Sequence, residues 1–367
     1  MTAPTADAPR LLLATGGTGG HVYPAVALAR AARARGAEVT VLGSREGMEA
    51  ELVGAAGLPF IGVTTGKLDR ERPDPRAPFR ALAGLLAARA ALRRWRPDAV
   101  VGFGGFAAFP GSAAAVLSRT PLVLHETNAV PGLVTRLLAR WATLVIVCQE
   151  EAAAALPRAR TRVVPFPVRE ERVDRGDARR ALGLPDDALV TLVIGGSQGS
   201  LALNGAVPRV ARTVQAADER VWVLHATGTR WLDQVRQELA DRPRYLCQGF
   251  VDASLAWSAA DLAIVRGGYG TIAEAAYHGV PLVVVPLPSA ADDHQRRNGE
   301  ALERAGAGVC VPQGDDAALE SAWRALLDDD RRGAARAAQA ARSPAGGTTT
   351  LLETVWPILT VSGKARA

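Results

Sequence analysis

Short apolar runs alternate with longer, alanine-rich segments along the whole chain. Continuous apolar runs are typical of strands buried on both faces of a parallel sheet, and the segments between them predict covering helices. Helices are predicted in most gaps, for example over Pro24–Arg35 and Thr271–His278. The pattern predicts an α/β fold with a doubly wound parallel sheet in each half. The predicted strands are Arg10–Ala14, Glu38–Leu42, Phe60–Val63, Ala99–Val101, Leu122–His125, Leu144–Cys148, Leu189–Ile194, Val221–Ala226, Tyr245–Gln248, Leu262–Val265, Leu282–Pro286 and Gly308–Val311.

Two glycine-rich turns of similar design follow the first predicted strand of each half. Residues 16–21 read GGTGGH, and residues 195–199 read GGSQG. Glycines let a ligand approach the backbone closely, and a helix that begins after such a turn presents unpaired N–H groups and partial positive charge. The pair indicates sites for a phosphorylated ligand, although a tight strand–helix corner without a ligand would have the same sequence.

The two halves resemble each other at a second position, which indicates duplication of one fold. Residues 98–105 read DAVVGFGG and residues 261–268 read DLAIVRGG, and each octet leads through a small-residue helix to a strand. Both octets end in glycines after a strand, where doubly wound sheets bind ligands. We therefore expect one domain over residues 1–166, a second over 167–345, and a C-terminal helix and tail over 346–367. The linker is expected near Phe166–Asp174.

The composition is that of a soluble globular protein, with 48% apolar and 22% charged residues. The net charge of +6 and the pI near 9.8 are compatible with nucleic acid or acidic lipid as a partner. No nucleic-acid-binding motif is present, so we expect no nucleic acid partner. Cys148, Cys247 and Cys310 lack metal-ligand spacing and are expected to be small buried residues in a reducing compartment.

No segment predicts a signal peptide or a membrane span. Residues 1–9 contain no basic residue, and the apolar run there is too short for a signal peptide. The uncharged stretch Ala99–Ser118 has the length of a span, but glycines and Pro110 divide it into a strand, a turn and a helix start.

The glycine turns match neither a dinucleotide site nor a P-loop. The dinucleotide fingerprint needs a third glycine where Val22 stands, and a carboxylate where the next strand ends at Gly43 and Ser44. Neither turn continues into the Gly-Lys-Ser/Thr of a P-loop. A nicotinamide-dependent oxidoreductase is therefore excluded.

Five segments together resemble one family of bacterial enzymes. A single glycine turn would be weak evidence, but five segments in the same order and spacing are specific. On these segments the chain resembles the MurG family, the UDP-N-acetylglucosamine transferases that make lipid II. The segments are 16–24 (GGTGGHVYP), 102–111 (GFGGFAAFPG), 125–132 (HETNAVPG), 195–199 with Asn204, and 266–298 with Glu274, Gly279, Pro281, His294, Gln295 and Asn298.

The resemblance implies a GT-B fold, in which two Rossmann-like domains with parallel sheets face each other across a cleft. It also implies transfer of N-acetylglucosamine from UDP-N-acetylglucosamine to lipid I, with inversion at the sugar carbon and without a metal or other cofactor. The implied setting is peptidoglycan synthesis, and hence cell shape and division, at the cytoplasmic face of the membrane, with other cell-wall synthesis proteins as partners. A GT-B enzyme with another acceptor, a UDP-sugar epimerase and a non-catalytic UDP-sugar-binding subunit are the alternatives.

The resemblance also implies roles for individual residues in donor binding. Glu274 would bind the ribose hydroxyls, Gln295 the donor sugar, Arg169 the UDP, and Val251 the uracil through its main chain. Thr271 and Glu274 also have the spacing of a helix capping box, which is the structural alternative. The implied donor contacts are Thr18, Gly19, Gly20, Asn128, Arg169, Ser197, Val251, Tyr269, Gly270, Thr271, Ile272, Ala273, Glu274, Gln295 and Asn298.

An inverting transfer needs a base for the acceptor hydroxyl, and three side chains are candidates. His21 is the first candidate because an imidazole titrates near neutral pH, and His125 and Glu126 are the others. His21 could instead bind phosphate or the acceptor.

The segment Arg76–Arg96 mixes arginines with large apolar residues. Such a basic amphipathic segment suits an anionic membrane surface, and we expect Arg76, Phe79, Arg80, Leu82 and Leu86 to form the acceptor-side face. An ordinary surface helix with its apolar side on the core is the alternative.

Overall fold

The computed structural model of the chain describes residues 8–66, 76–196, 198–239, 242–290 and 293–364. It divides into two compact units. The first comprises Met1–Val168 together with Gly346–Ala367, and the second comprises Arg169–Ala345. The C-terminal helix is therefore part of the first unit.

The first unit contains a seven-stranded parallel sheet in the order β3-β2-β1-β4-β5-β6-β7. Its elements are β1 (Arg10–Ala14), α1 (Gly19–Ala34), β2 (Glu38–Ser44), α2 (Met48–Ala55), β3 (Phe60–Val63), α3 (Ala77–Trp95), β4 (Ala99–Gly102), α4 (Gly105–Leu117), β5 (Leu122–Glu126), α5 (Leu133–Leu138), β6 (Leu144–Val147), α6 (Glu150–Ala154), β7 (Thr161–Val163) and, after the second unit, α15 (Gly347–Lys364). A 3₁₀ turn, Ala139–Trp141, follows α5.

Helices cover both faces of this sheet, because side chains alternate along each strand. Leu11 and Leu13 of β1 pack in one core with α1 and with Val355 of α15. Leu12 and Ala14 pack in the other core with α3, α4 and α5. Burial on both faces explains why the strands of this unit are continuous apolar runs.

The second unit contains a six-stranded parallel sheet in the order β10-β9-β8-β11-β12-β13. Its elements are α7 (Arg175–Leu182), β8 (Leu189–Ile194), α8 (Leu201–Ala217), β9 (Val221–Ala226), α9 (Leu232–Leu239), β10 (Tyr245–Gln248), α10 (Ala253–Ala259), β11 (Leu262–Val265), α11 (Tyr269–His278), β12 (Leu282–Val284), α12 (His294–Arg304), β13 (Gly308–Cys310), α13 (Asp316–Leu327) and α14 (Asp329–Ala341).

The predicted fold class is confirmed, and the local differences have physical reasons. Strand β7 was not predicted because its three residues are polar or exposed and lie at the sheet edge. Strand β12 ends at Val284, before Pro286, which has no N–H to donate. The three cysteines are free thiols, but they are half-buried and not fully buried as expected.

Two helices begin earlier than predicted. Helix α1 begins at Gly19 and carries Pro24 inside it, so the prediction of a start at Pro24 was wrong. Helix α11 begins at Tyr269, with Gly268 as its N-cap. Thr271 therefore lies inside the helix, and the capping-box interpretation of Thr271 and Glu274 was wrong.

The repeated octets have a structural role at the start of each strand. The Asp98 carboxylate accepts a hydrogen bond from the Arg10 amide at 2.8 Å, which joins β4 to the start of β1. The Asp261 carboxylate accepts one from the Val190 amide at 2.8 Å, which joins β11 to β8 in the same way. The aspartate of each octet lies at the amino end of its strand, and the glycines of the octet follow the carboxyl end of the same strand.

In each sheet the strand order reverses between the first strand and the fourth. This switch point lies between β1 and β4 in the first unit and between β8 and β11 in the second. Ligands of doubly wound sheets bind beyond the carboxyl ends of the strands at such a point. The glycine turns of residues 16–21 and 195–199 each follow one strand of a switch point. None of the helices among the described residues has the length and apolar character needed to cross a bilayer.

Candidate functional site

The glycine turn of the first unit is built from backbone conformations that favour glycine. Gly16 and Gly17 have φ values of 145° and 90°. Thr18 has an extended backbone as the N-cap of α1, and its side chain caps no amide within the described part of the chain. The Thr18 side chain therefore does not occupy the first amides of α1. Thr15 Oγ1 donates to the His21 carbonyl at 2.7 Å, and this hydrogen bond links the end of β1 to the first turn of α1.

A fully buried carboxylate, Glu49 of α2, supports this turn. It accepts a hydrogen bond from the Ser44 amide at 2.8 Å and one from the Gly17 amide at 3.3 Å. A β-carbon at Gly16 would collide with the same carboxylate. Glu49 was not predicted from the sequence, because an acidic residue in the first turn of a helix is usually an exposed partner of the helix dipole.

His21 lies against the glycines that follow β4. A β-carbon built at Gly105 would lie 3.2 Å from His21 Cδ2, and one at Gly104 would lie 3.4 Å from His21 Cε1. The half-buried imidazole thus packs on the backbone of the second loop of the switch point. The pairing of β1 with β4 brings these loops together, although the sequence separates them by more than eighty residues.

His125, at the end of β5, is almost completely buried. Its ring centroid lies 5.1 Å from that of Phe103, and its Nε2 lies 3.6 Å from the Cys148 sulfur. Burial, with a smaller contribution from the charge of His21, lowers the pKa of His125 to about 3. Burial likewise raises the pKa of the Cys148 thiol. At neutral pH the pair is therefore uncharged, and His125 is a weak base.

The Glu126 carboxylate organises the loop that follows β5. It accepts hydrogen bonds from the Asn128 amide at 3.0 Å, from the Gly132 amide at 2.9 Å and from Thr135 Oγ1 at 2.8 Å. The Asn128 side chain also donates to it, at 3.3 Å. These donors use the acceptor positions of both oxygens, so Glu126 holds Asn128 in place and has little capacity left for proton transfer.

The glycine turn of the second unit is locked to the neighbouring loop. A β-carbon at Gly199, whose φ is 75°, would collide with the Thr227 carbonyl oxygen. Asn204 Nδ2 donates to the same carbonyl at 3.0 Å. Ser200 is the N-cap of α8 and accepts from the Leu203 amide at 3.3 Å. Ser197, which the sequence analysis placed at the centre of this turn, lies outside the described residues.

Arg266, at the end of β11, joins three loops of the second unit. Its Nε donates to Ser200 Oγ at 3.0 Å, and its Nη1 donates to the Val285 carbonyl at 3.0 Å. Its Nη2 donates to Gln313 Oε1 at 2.9 Å. This role of Arg266 was not predicted, although an arginine between a buried strand and two glycines is a signal for such a contact.

Asn298 and Gln295 of α12 contact the backbone of neighbouring loops. Asn298 is buried and donates through Nδ2 to the Gly267 carbonyl at 2.9 Å. Gln295 Oε1 accepts from the Leu287 amide at 3.0 Å, which orients its amide group. Asn298 thus fixes the turn between β11 and α11, while Gln295 is partly exposed at the same sheet edge.

The first turn of α11 presents the backbone that the sequence analysis assigned to the nucleotide. Tyr269, Gly270 and Thr271 are the first three residues of the helix, and the Ile272 amide after them donates to the carbonyl of the N-cap Gly268 at 3.2 Å. Ile272 and Ala273 are buried.

Glu274 lies in a recess lined by Arg169, Ala253, Ser254, Trp257 and His278. Its Oε2 accepts from Trp257 Nε1 at 3.1 Å. Burial raises the pKa of Glu274, and the Trp257 hydrogen bond and the Arg169 charge partly offset this rise.

Arg169 and Val251 lie next to this recess. Arg169 Nη1 lies 3.9 Å from Asp252 Oδ2, so the guanidinium is half-exposed beside the start of α10. Val251 is buried.

Helix α3 carries two separate apolar stripes. Gly84, Ala88 and Leu92 are buried in the unit. Phe79, Leu82 and Leu86 are 75%, 55% and 57% exposed. Packing against the core therefore explains only the buried stripe. Arg76 and Arg80 lie beside the exposed stripe. The interpretation as an ordinary surface helix is incomplete.

The structure thus brings the predicted residues together in two groups. Gly19, Gly20, His21, His125, Glu126 and Asn128 lie at the carboxyl edge of the first sheet, and Arg169, Val251, Glu274, Gln295 and Asn298 lie at that of the second. Among the described residues, no three His, Cys, Asp or Glu side chains form a cluster that could hold a metal ion.

Comparison with known proteins identifies the family. The glycosyltransferase family 28 N-terminal domain matches residues 11–147, and the glycosyltransferase family 28 C-terminal domain matches residues 190–352. The chain is 46% identical over 334 residues to the Deinococcus radiodurans UDP-N-acetylglucosamine--N-acetylmuramyl-(pentapeptide) pyrophosphoryl-undecaprenol N-acetylglucosamine transferase, a match that covers 83% of this chain and 84% of the relative. It is 42% identical over 344 residues to the Thermus thermophilus protein of the same name, covering 94% and 98%.

A solved structure agrees with this assignment. The crystal structure of Acinetobacter baumannii MurG has a TM-score of 0.74 and 30% identity, covering 95% of this chain and 99% of that chain. The chain belongs to glycosyltransferase family 28 and, within it, to the MurG family of N-acetylglucosamine transferases.

Proposed function

We propose that the chain transfers N-acetylglucosamine from UDP-N-acetylglucosamine to lipid I, the undecaprenyl-pyrophosphoryl-N-acetylmuramoyl-pentapeptide, and so forms lipid II for peptidoglycan. The new bond is β-1,4 and forms with inversion at the sugar carbon. The observation that carries the proposal is that relatives similar over nearly their whole length bear the name of this one enzyme.

The donor binds to the second unit in this proposal. Glu274 accepts hydrogen bonds from the ribose hydroxyls, and the first-turn amides of α11 contact the nucleotide. Gln295 bonds the donor sugar, for which a neutral amide suits because it both donates and accepts. Asn298 contacts the donor in this proposal and also holds the Gly267 loop, and Arg266 holds the neighbouring loops.

The leaving UDP is stabilised by the protein alone. The start of α8 directs amides and partial positive charge to the pyrophosphate, and Arg169 adds a formal charge. We therefore expect transfer to persist in excess EDTA. Complete loss of activity in EDTA, with recovery on adding Mg²⁺, would contradict a metal-free mechanism.

His21 of the first unit is the proposed base for the acceptor hydroxyl. The pKa of His125 is lowered to about 3 by burial, and the Glu126 oxygens are used by the following loop. His21 is half-buried, whereas His125 and Glu126 are almost completely buried. Bases act best when their pKa lies near the working pH.

The exposed stripe of α3 is proposed to contact the cytoplasmic surface of the membrane, where lipid I is embedded. Phe79, Leu82 and Leu86 would enter the interface, and arginines of the segment would contact anionic headgroups.

A single transfer assay tests the proposed activity. The purified chain is incubated with radiolabelled UDP-N-acetylglucosamine and a short-chain lipid I analogue, and the disaccharide product is measured. We expect product that depends on both substrates. Turnover with another glycolipid acceptor only would favour a different transferase, and formation of UDP-N-acetylmannosamine without an acceptor would favour an epimerase.

A further inference from the structure

Trp257 of α10 contacts the proposed donor site from inside the protein. Its ring is only 2% exposed, and its Nε1 donates a hydrogen bond to Glu274 Oε2 at 3.1 Å. The His278 ring stacks with the indole, at 6.4 Å between centroids and 20° between planes. The indole is thus fixed by its own neighbours, and the carboxylate is fixed by the indole.

This bond has two effects on Glu274. It occupies one acceptor position of the carboxylate and so restricts rotation about the bond to the carboxyl group, while other acceptor positions stay available to a ligand. It also favours the ionised form, because a donor to a carboxylate lowers the pKa that burial raises. A diol that donates two hydrogen bonds requires both a fixed orientation and an ionised acceptor.

We propose that Trp257 is a positioning residue for the nucleotide donor: its indole N–H holds the Glu274 carboxylate in the orientation that accepts the ribose diol. This inference rests on the proposed function, which assigns Glu274 to the ribose. Trp257 lines the recess but is only 2% exposed, so we assign its effect to the hydrogen bond with Glu274.

The test compares two buried tryptophans of the same unit. Trp257→Phe removes the donor and keeps an aromatic ring. Trp323→Phe is the matched control, because Trp323 is 0% exposed and its Nε1 donates to Thr191 Oγ1 at 2.9 Å, away from the recess. We expect Trp257→Phe to raise the KM for UDP-N-acetylglucosamine about tenfold, with kcat within about twofold, since a hydrogen bond to a charged group is at stake.

The control separates positioning from loss of stability. Trp323→Phe should lower the Tm by as much as Trp257→Phe and leave the KM unchanged. The proposal is wrong if Trp257→Phe leaves the KM within about twofold of wild type, or if Trp323→Phe raises it equally.

Failure of the proposed function gives a different result. If the wild-type chain makes no disaccharide, the activity is wrong, and calorimetric binding of UDP alone then tests Trp257. About tenfold weaker UDP binding by Trp257→Phe would support positioning. Equal binding by the two proteins, or no UDP binding by the wild type, would overturn it.

Discussion

Three charged side chains, Glu49, Glu126 and Arg266, direct their hydrogen bonds to the loops around the two switch points. Each is buried or partly buried, and each has two backbone groups among its partners. Glu49 and its partner Gly17 are separated by 32 positions. No local pattern connects such residues before the sheet has formed, so sequence reasoning finds the glycines of a turn but not the carboxylate that supports it.

The role of Glu49 can be tested by substitution. Glu49→Ala leaves the Ser44 and Gly17 amides without their acceptor, and we expect the free energy of unfolding to fall by about 2–4 kcal/mol. Urea denaturation measures this change. The exposed Glu51 of the same helix is the control, and Glu51→Ala should change stability by no more than about 0.5 kcal/mol. Equal effects of the two substitutions would mean that Glu49 does not stabilise the turn.

His21 and His125 are distinguished by kinetics. His21→Ala should lower kcat by about 10²–10⁴-fold, the usual contribution of a general base, with little change in the KM for the donor. Steady-state assays at saturating acceptor measure both constants. A kcat within tenfold of wild type would exclude His21 as the base, whereas a loss confined to the KM would make it a binding residue.

At the scale of elements, the sequence predicted buried strands better than helix starts. Ten of the twelve predicted strands match the structure or differ from it only in their last residue, since strands that are buried on both faces, such as β1 and β8, are continuous apolar runs. The starts of α1 and α11 were missed, because glycines that form a helical first turn look like loop residues in the sequence. Because the two helices start early, the predicted site residues Gly19, Gly20, Tyr269 and Gly270 lie in their first turns and not in loops.

Helix α3 provides a prediction about the membrane. Replacing Phe79, Leu82 and Leu86 together by serine should reduce binding to vesicles rich in phosphatidylglycerol at least tenfold, because the apolar contact is lost. Sedimentation with vesicles measures binding. Leu201→Ser is the control, since Leu201 is 56% exposed on the second unit. The membrane assignment fails if the triple variant binds as wild type does, or if activity on a water-soluble acceptor falls with it.

At the scale of the whole molecule, alternation of strands and helices predicted two doubly wound units, and the structure contains them. The membership of α15 in the first unit was not predictable in this way. Its apolar residues, such as Leu351 and Val355, show only that the helix covers a core, and not which one.

Buried histidines make the stability of both units sensitive to acid. Burial lowers the pKa of His125 and His225 to about 3 and that of His278 to about 4, whereas the unfolded chain titrates near 6.5. Below pH 6.5 the unfolded state therefore binds protons that the folded state does not. The contribution of these histidines to the free energy of unfolding is complete above about pH 6.5. It is lost as the pH falls towards 3–4, by up to about 1.4 kcal/mol per pH unit for each histidine.

Chemical denaturation from pH 7 to pH 4 measures this dependence. His225→Gln, which cannot titrate, should have a shallower slope than the wild type in this range, because His225 is 0% exposed. Parallel slopes for the two proteins would mean that His225 is protonated in the folded state.

The return of α15 to the first unit determines the order in which the protein can fold during synthesis. The second unit is one continuous segment and is complete when Ala345 leaves the ribosome. The first unit needs Leu351, Val355 and Leu359 to close its core, so the part of the protein that is translated first is finished last. A message truncated near its 3′ end would therefore yield a product with an intact donor-side unit and an exposed apolar surface on the other, which is a substrate for chaperones and proteases.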